Sequence, residues 1–134
     1  MEASRSIPPP AAPCRLLLVD DDPVLCRAIT RVMGKESAVT TATSVDQGLG
    51  YILDGQPFDL ILCDMAMPEK SGMDFHVELG RHRPALLDRL VFFTGGASTR
   101  EARQFLQRVP NERLAKPGDV MAQRDLARRF ARID

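Results

Sequence analysis

Five side chains that could act together stand at the ends of four apolar runs. They are Asp20 and Asp21 after Leu16-Leu17-Leu18-Val19, Asp64 after Leu60-Ile61-Leu62-Cys63, Thr94 after Val91-Phe92-Phe93, and Lys116 after Leu114-Ala115. Three carboxylates gathered in one place repel one another unless a cation lies among them, and a hard, all-oxygen donor set favours magnesium over zinc. Mg2+ keeps several waters and takes only one or two carboxylates directly, which leaves a position for a phosphoryl oxygen. A lysine ammonium and a threonine hydroxyl suit the equatorial oxygens of a phosphoryl group in transfer. Asp64 is then left as the nucleophile, since carboxylates form acyl phosphates when a metal offsets the repulsion between approaching anions.

Such runs read as buried parallel strands separated by helices, and in an open parallel sheet functional groups gather at the carboxyl ends of the strands. A strand over 15–19 is followed by a helix over 23–33, with Val24, Leu25, Ala28, Ile29, Val32 and Met33 at helical spacing and Gly34 closing it. Asp22 before Pro23 fits an N-cap. Further strands are expected over 38–42, 58–63, 90–94 and 113–115, and further helices over 44–53, 71–81, 98–108 and 119–133. Gly48 and Gly50 weaken the helix over 44–53. Five strand–helix units argue for a three-layer α/β/α domain with a parallel sheet and right-handed crossovers. That layout serves cofactor binders, hydrolases and signalling modules alike, so the site must decide the function.

Composition narrows the class. The chain has 134 residues, 44% of them hydrophobic, which is enough for one domain with a buried core. Lys+Arg and Asp+Glu both number 18, so no net charge attracts nucleic acid or an anionic membrane. No apolar run approaches the roughly 20 residues that span a bilayer, and the start lacks the order of a signal peptide; a cytoplasmic protein without membrane insertion is expected. Cys14, Cys26 and Cys63 are odd in number and widely spaced, fitting buried thiols rather than a disulfide framework or zinc site. Residues 1–13, with Pro8-Pro9-Pro10 and Pro13, read as a proline-rich tail or linker ahead of a domain over 14–134.

Together these residues resemble the receiver domain of two-component response regulators. The likeness spans 15–132 and rests on Val19-Asp20-Asp21-Asp22-Pro23, on Leu62-Cys63-Asp64-Met65-Ala66-Met67-Pro68 continuing to Gly72, on Phe93-Thr94-Gly95-Gly96, and on Leu114-Ala115-Lys116-Pro117. The resemblance implies a flavodoxin-like (βα)5 fold with strand order 2-1-3-4-5. It implies that Asp64 accepts phosphate from a histidine kinase or histidine phosphotransfer protein, with no turnover beyond the domain's own phosphotransfer and dephosphorylation. Asp21 and Asp64 would ligate Mg2+ directly, Asp20 through water, and the Ala66 backbone carbonyl would complete the protein's share. Thr94 would swing toward the phosphate and Lys116 would contact it, with the Lys116-Pro117 peptide bond cis.

Thr94-Gly95-Gly96-Ala97, with Val109-Pro110-Asn111 and Leu114-Ala115-Lys116-Pro117 downstream, is most similar to receivers attached to hybrid histidine kinases; with the proline-rich start, this adds a kinase in the same natural polypeptide to the candidate partners, and the domain is expected as a monomer. Arg113 stands where receivers commonly carry a switch aromatic, and Gly118 replaces a frequent Phe. A magnesium-dependent phosphohydrolase of the haloacid-dehalogenase type is the alternative; it needs an acid just after the nucleophile, where this chain has Ala66. A degenerate receiver that works without phosphate is the third reading, kept open by Arg113. Met65, Met67 and Met73 read as packing. His76 and His82 read as solvent-facing. Arg124, Arg128, Arg129 and Arg132 read as a solvated or docking face of the last helix rather than a nucleic-acid surface.

Overall fold

The computed structural model describes residues 13–34, 37–95, 99–115 and 120–131. Lys116, Pro117, Gly118, Gly96, Arg132 and the proline-rich segment up to residue 12 lie outside the described residues. Strand β1 (Cys14–Val19) pairs in parallel with β2 (Ser37–Ala42) on one side and β3 (Leu60–Asp64) on the other. Strands β4 (Leu90–Thr94) and β5 (Arg113–Ala115) complete a parallel sheet of order β2-β1-β3-β4-β5. This is the order the family resemblance implies.

The three central strands are apolar throughout because both faces of the sheet are covered. Alternate residues enter two cores. Leu17, Val19, Ile61, Cys63 and Phe92 pack beneath α2 (Val45–Leu53), α3 (Gly72–His82) and α4 (Arg100–Arg108). Leu16, Leu18, Leu60, Leu62, Val91 and Phe93 pack beneath α1 (Pro23–Met33) and α5 (Val120–Phe130). No helix among the described residues is long and apolar enough to cross a membrane. Cys14, Cys26 and Cys63 are buried free thiols; burial pushes Cys14 up to about 12 and Cys63 well above its ordinary value, so both stay protonated and unreactive.

Several details depart from the sequence expectation. Helix α1 turns Cys26, Ile29 and Met33 inward and leaves Val24 63% exposed, because the inward stripe begins on a cysteine. Helix α2 is regular despite its glycines: a Cβ on Gly48 would come within 2.9 Å of the Val19 side chain, so this glycine lets the helix lie close on the sheet. Strand β3 starts at Leu60, since Asp59 is occupied at the strand's entrance. Its carboxylate accepts from the Arg15 guanidinium at 2.8 and 3.1 Å and from the Arg15 backbone N–H at 2.9 Å. A 3-10 helix over Pro84–Arg89, opened by its proline, precedes β4. Helix α4 begins at Arg100 because the Thr99 hydroxyl caps it, accepting from Ala102 N–H at 3.0 Å.

His76 is half-buried rather than solvent-facing. Its ring meets Phe105 edge-on at 5.2 Å between centroids and lies 6.2 Å from Phe92. Burial lowers its pKa from the ordinary 6.5. The unfolded chain therefore binds this proton more readily, and the contribution to stability present above about pH 6.5 is lost as pH falls below it. Urea melts at about pH 7.5 and 5.5 should show a wild-type loss on acidification that is smaller in His76→Gln.

Candidate functional site

The register of the sheet assembles the acids. Val19 pairs with Cys63, so the next residues, Asp20 and Asp64, stand side by side at the strand ends. Asp64 pairs with Phe93, and Thr94 with Ala115, which brings the ends of β3, β4 and β5 into one row. Carboxylate oxygens of Asp20, Asp21 and Asp64 all lie within 4.8 Å of one another; Asp20 and Asp64 are buried and Asp21 is exposed.

Each acid is held by its local backbone. Asp20 donates its N–H to Ala42 O at 2.9 Å, and its Oδ1 accepts from Asp22 N–H at 2.9 Å. The Cys26 thiol reaches back from α1 to the Asp20 carbonyl at 3.5 Å, a contact invisible in the sequence until the helix is docked. Asp22 takes no part in the cluster. Its Oδ1 accepts from Val24 and Leu25 N–H at 3.0 and 3.3 Å, the N-cap that Asp22-Pro23 predicts. Asp64 Oδ1 accepts from Ala66 N–H at 3.2 Å, folding the chain tightly past this carboxylate.

The loop from β3 to α3 is fixed at both ends. Gly72 N–H donates to Met65 O at 3.2 Å, and Ser71 with Asp74 forms a capping box on α3. Lys70 pairs with Asp46 of α2 at 2.7 Å, and Glu69 takes a left-handed backbone (φ 67°) between them. A Cβ on Gly72 would meet Asp64 O at 2.8 Å, Met65 Sδ at 2.9 Å and Met65 Cα at 3.0 Å. The glycine therefore lets α3 begin against the main chain of the acid it follows. Gly72→Ala is expected to destabilise the fold by about 1–3 kcal/mol and to weaken Mg2+ binding through displacement of Asp64, read by thermal melts with and without the metal.

Thr94 is half-buried and borders a cavity of about 340 Å3 that also touches Met65, Ala66, Met67 and Thr99. The methionines fill space as expected: Met65 is buried, and Met67 and Met73 pack against the core. Thus the described residues bring Asp20, Asp21 and Asp64 together and place Thr94 on the neighbouring strand end. Cys26 and Lys70 join them as supports with no site role readable in the sequence. Gly72, a third support, was legible as the glycine four residues beyond Pro68 that closes the motif around Asp64. As a donor set, three hard carboxylates with two of them buried fit a divalent, oxygen-seeking cation such as Mg2+.

The profile of the response regulator receiver domain matches residues 16–128. Among characterised proteins, the transcriptional regulatory protein GlrR of Escherichia coli is 32% identical over 108 residues, covering 80% of this chain and 24% of that protein. The response regulator protein PilR of Pseudomonas aeruginosa is 27% identical over 119 residues, covering 89% of the chain and 26% of PilR. The chain thus spans about a quarter of the length of these relatives. A receiver domain protein from Methanospirillum hungatei shares the fold with a TM-score of 0.72 at 23% identity, over 85% of this chain and 90% of that one. A receiver protein from Pseudomonas putida does so with a TM-score of 0.71 at 24% identity, over 87% and 96%. With its strand order, its acidic cluster and a family match over most of its length, the chain belongs to the response regulator receiver domains of two-component signalling.

Proposed function

We propose that Asp64 is the phosphoacceptor, taking a phosphoryl group from a phosphohistidine on a histidine kinase or histidine phosphotransfer protein. The observation that carries this is the convergence of Asp20, Asp21 and Asp64 within 4.8 Å at the strand ends. An Asp64 carboxylate oxygen forms the new bond to phosphorus as the phosphorus–nitrogen bond breaks. The electron pair returns to the imidazole, which takes up a proton when needed, and an acyl phosphate results. Asp20, Asp21, Asp64 and the Ala66 backbone carbonyl would hold Mg2+, which when bound offsets the repulsion between carboxylate and phosphoryl group. Thr94 and Lys116 supply a hydroxyl donor and an ammonium to the phosphoryl oxygens.

The product is a change of binding state. Ala66 offers no side-chain acid to protonate a leaving group or position a water, which disfavours the phosphohydrolase alternative. The last helix supports intramolecular packing rather than nucleic-acid contact: Arg129 pairs with Glu112 at 2.9 Å, Arg128 lies 3.6 Å from Asp125, and Arg124 donates to Val32 O at 3.0 and 3.3 Å. We read residues 14–134 as the domain, monomeric and cytoplasmic, behind a proline-rich segment over 1–13. Attachment to a hybrid kinase is supported by the run from Thr94 to Ala97 and by Leu114 to Pro117, whereas the matched relatives named above are a transcriptional regulatory protein and a response regulator.

Incubation with acetyl phosphate tests the proposal by intact mass. A gain of one phosphate that requires Mg2+, disappears in EDTA and is released by hydroxylamine is expected of an acyl phosphate. Absence of any gain, or a gain indifferent to EDTA, contradicts it.

A further inference from the structure

Helix α4 ends where its sequence forces it to. Pro110 keeps Val109 extended (ψ 146°), and having no N–H it cannot donate to the carbonyl four residues back, that of Leu106. Helix C-terminal carbonyls need outside donors. Arg113 supplies one, its Nη2 donating to Leu106 O across the intervening loop. The guanidinium thus ties the first residue of β5 to the last turn of α4. Strand β5 is three residues long, lies at the sheet edge and exposes Arg113 and Ala115, a combination that costs little to displace.

Strands β4 and β5 also border the site, Thr94 ending β4 beside the acids that follow β1 and end β3. Arg113 pairs with Phe92, and Ala115 with Thr94, and residues two apart on a strand share a face. Thr94, Phe92 and Arg113 therefore face the layer that contains α4. Within that layer Phe92 meets Phe105 of α4 edge-on at 5.5 Å between centroids, and Phe105 meets His76 of α3 at 5.2 Å. Lys116 follows Ala115 directly in the chain. A phosphoryl group on Asp64 that draws on Thr94 and Lys116 acts on strand ends whose opposite positions hold α4 through Phe92 and Arg113.

We propose that Arg113 is a latch that holds the last turn of α4 in the resting domain and is released when Asp64 carries phosphate. The inference rests on the reading of Asp64 as phosphoacceptor. A bond present in the resting form and lost in the phosphorylated form disfavours the latter. Removing it tilts the equilibrium, and by linkage the site then binds a phosphoryl analogue more tightly. A simple helix cap makes a different prediction: its loss lowers stability and leaves the analogue's affinity unchanged.

Beryllofluoride with Mg2+ is the probe, titrated by fluorine NMR into wild type, Arg113→Ala and Arg113→Lys, with amide exchange followed at Arg108 and Val109. Arg113→Ala should bind about fivefold tighter than wild type, with Arg113→Lys in between because it retains a single donor. The Val109 amide, which donates to Phe105 O in the resting structure, should lose protection in wild type when the analogue saturates the site and in Arg113→Ala without it. Equal or weaker binding by the Ala variant alongside normal wild-type binding overturns the latch. Should Arg113→Ala fail to fold, the comparison of Arg113→Lys with wild type decides by the same criterion. No binding to wild type overturns the phosphoacceptor reading, and the latch with it.

Discussion

Replacing Asp64 with Asn should abolish phosphate uptake and, in the metal-free protein, raise the melting temperature. The amide keeps the shape of the carboxylate and an oxygen that can accept from Ala66 N–H, so the turn after β3 survives. It removes one of three negative charges whose oxygens lie within 4.8 Å, two of them on buried side chains. Relief of repulsion at that distance is on the order of 1–3 kcal/mol, reduced by the exposure of Asp21 to solvent. A thermal melt in EDTA would read this as an upward shift of several degrees. Intact mass with acetyl phosphate would show no addition. A variant that still gains phosphate, or that melts lower than wild type without metal, is inconsistent with an acidic cluster centred on Asp64.

Magnesium should stabilise the wild-type domain, and Asp20→Asn should remove most of that response. A ligand bound only by the folded state adds about 2.7 kcal/mol at one hundred times its dissociation constant, so millimolar Mg2+ should raise the melting temperature clearly. Asp20 is fully buried, and its Oδ1 accepts from Asp22 N–H, a contact an asparagine oxygen can keep. The substitution therefore spares the start of α1 while removing the charge and one of the two oxygen donors. The metal-free variant should melt at or above the wild-type temperature, while its Mg2+ affinity falls by at least about tenfold. Isothermal titration alongside melts with and without EDTA checks both. An unchanged Mg2+ response would place the cation elsewhere.

The elements that position the acids were legible because β1, β3 and β4 are covered on both faces. Continuous apolar runs such as Leu16-Leu17-Leu18-Val19 leave few readings, and the polar residue ending each run marks the strand's exit. Asp22 as a cap and Ser71 as a helix start follow from local chemistry, so they too could be read from neighbours in the chain. What depends on distant partners could not. The inward face of α1 rests on Cys26 meeting the Asp20 carbonyl, and the closeness of α2 on Gly48 meeting Val19. The burial of His76 depends on Phe92 and Phe105, 16 and 29 residues further on in the chain. Arg113 was visible as a departure from its family, but its bond to Leu106 needed the path of the loop through Pro110.

Borohydride trapping tests the central claim most directly, because it names the residue that carries the phosphate. Reduction of an aspartyl phosphate leaves homoserine, and tryptic cleavage should place Asp64 in the peptide over 36–70, together with Glu36, Asp46, Asp54, Asp59 and Glu69 as internal controls. After treatment with acetyl phosphate and Mg2+, fragmentation of that peptide should find homoserine at position 64, with none when Mg2+ is withheld. Homoserine at another acid, or a phosphorylated protein whose residue 64 remains aspartate, would contradict the account.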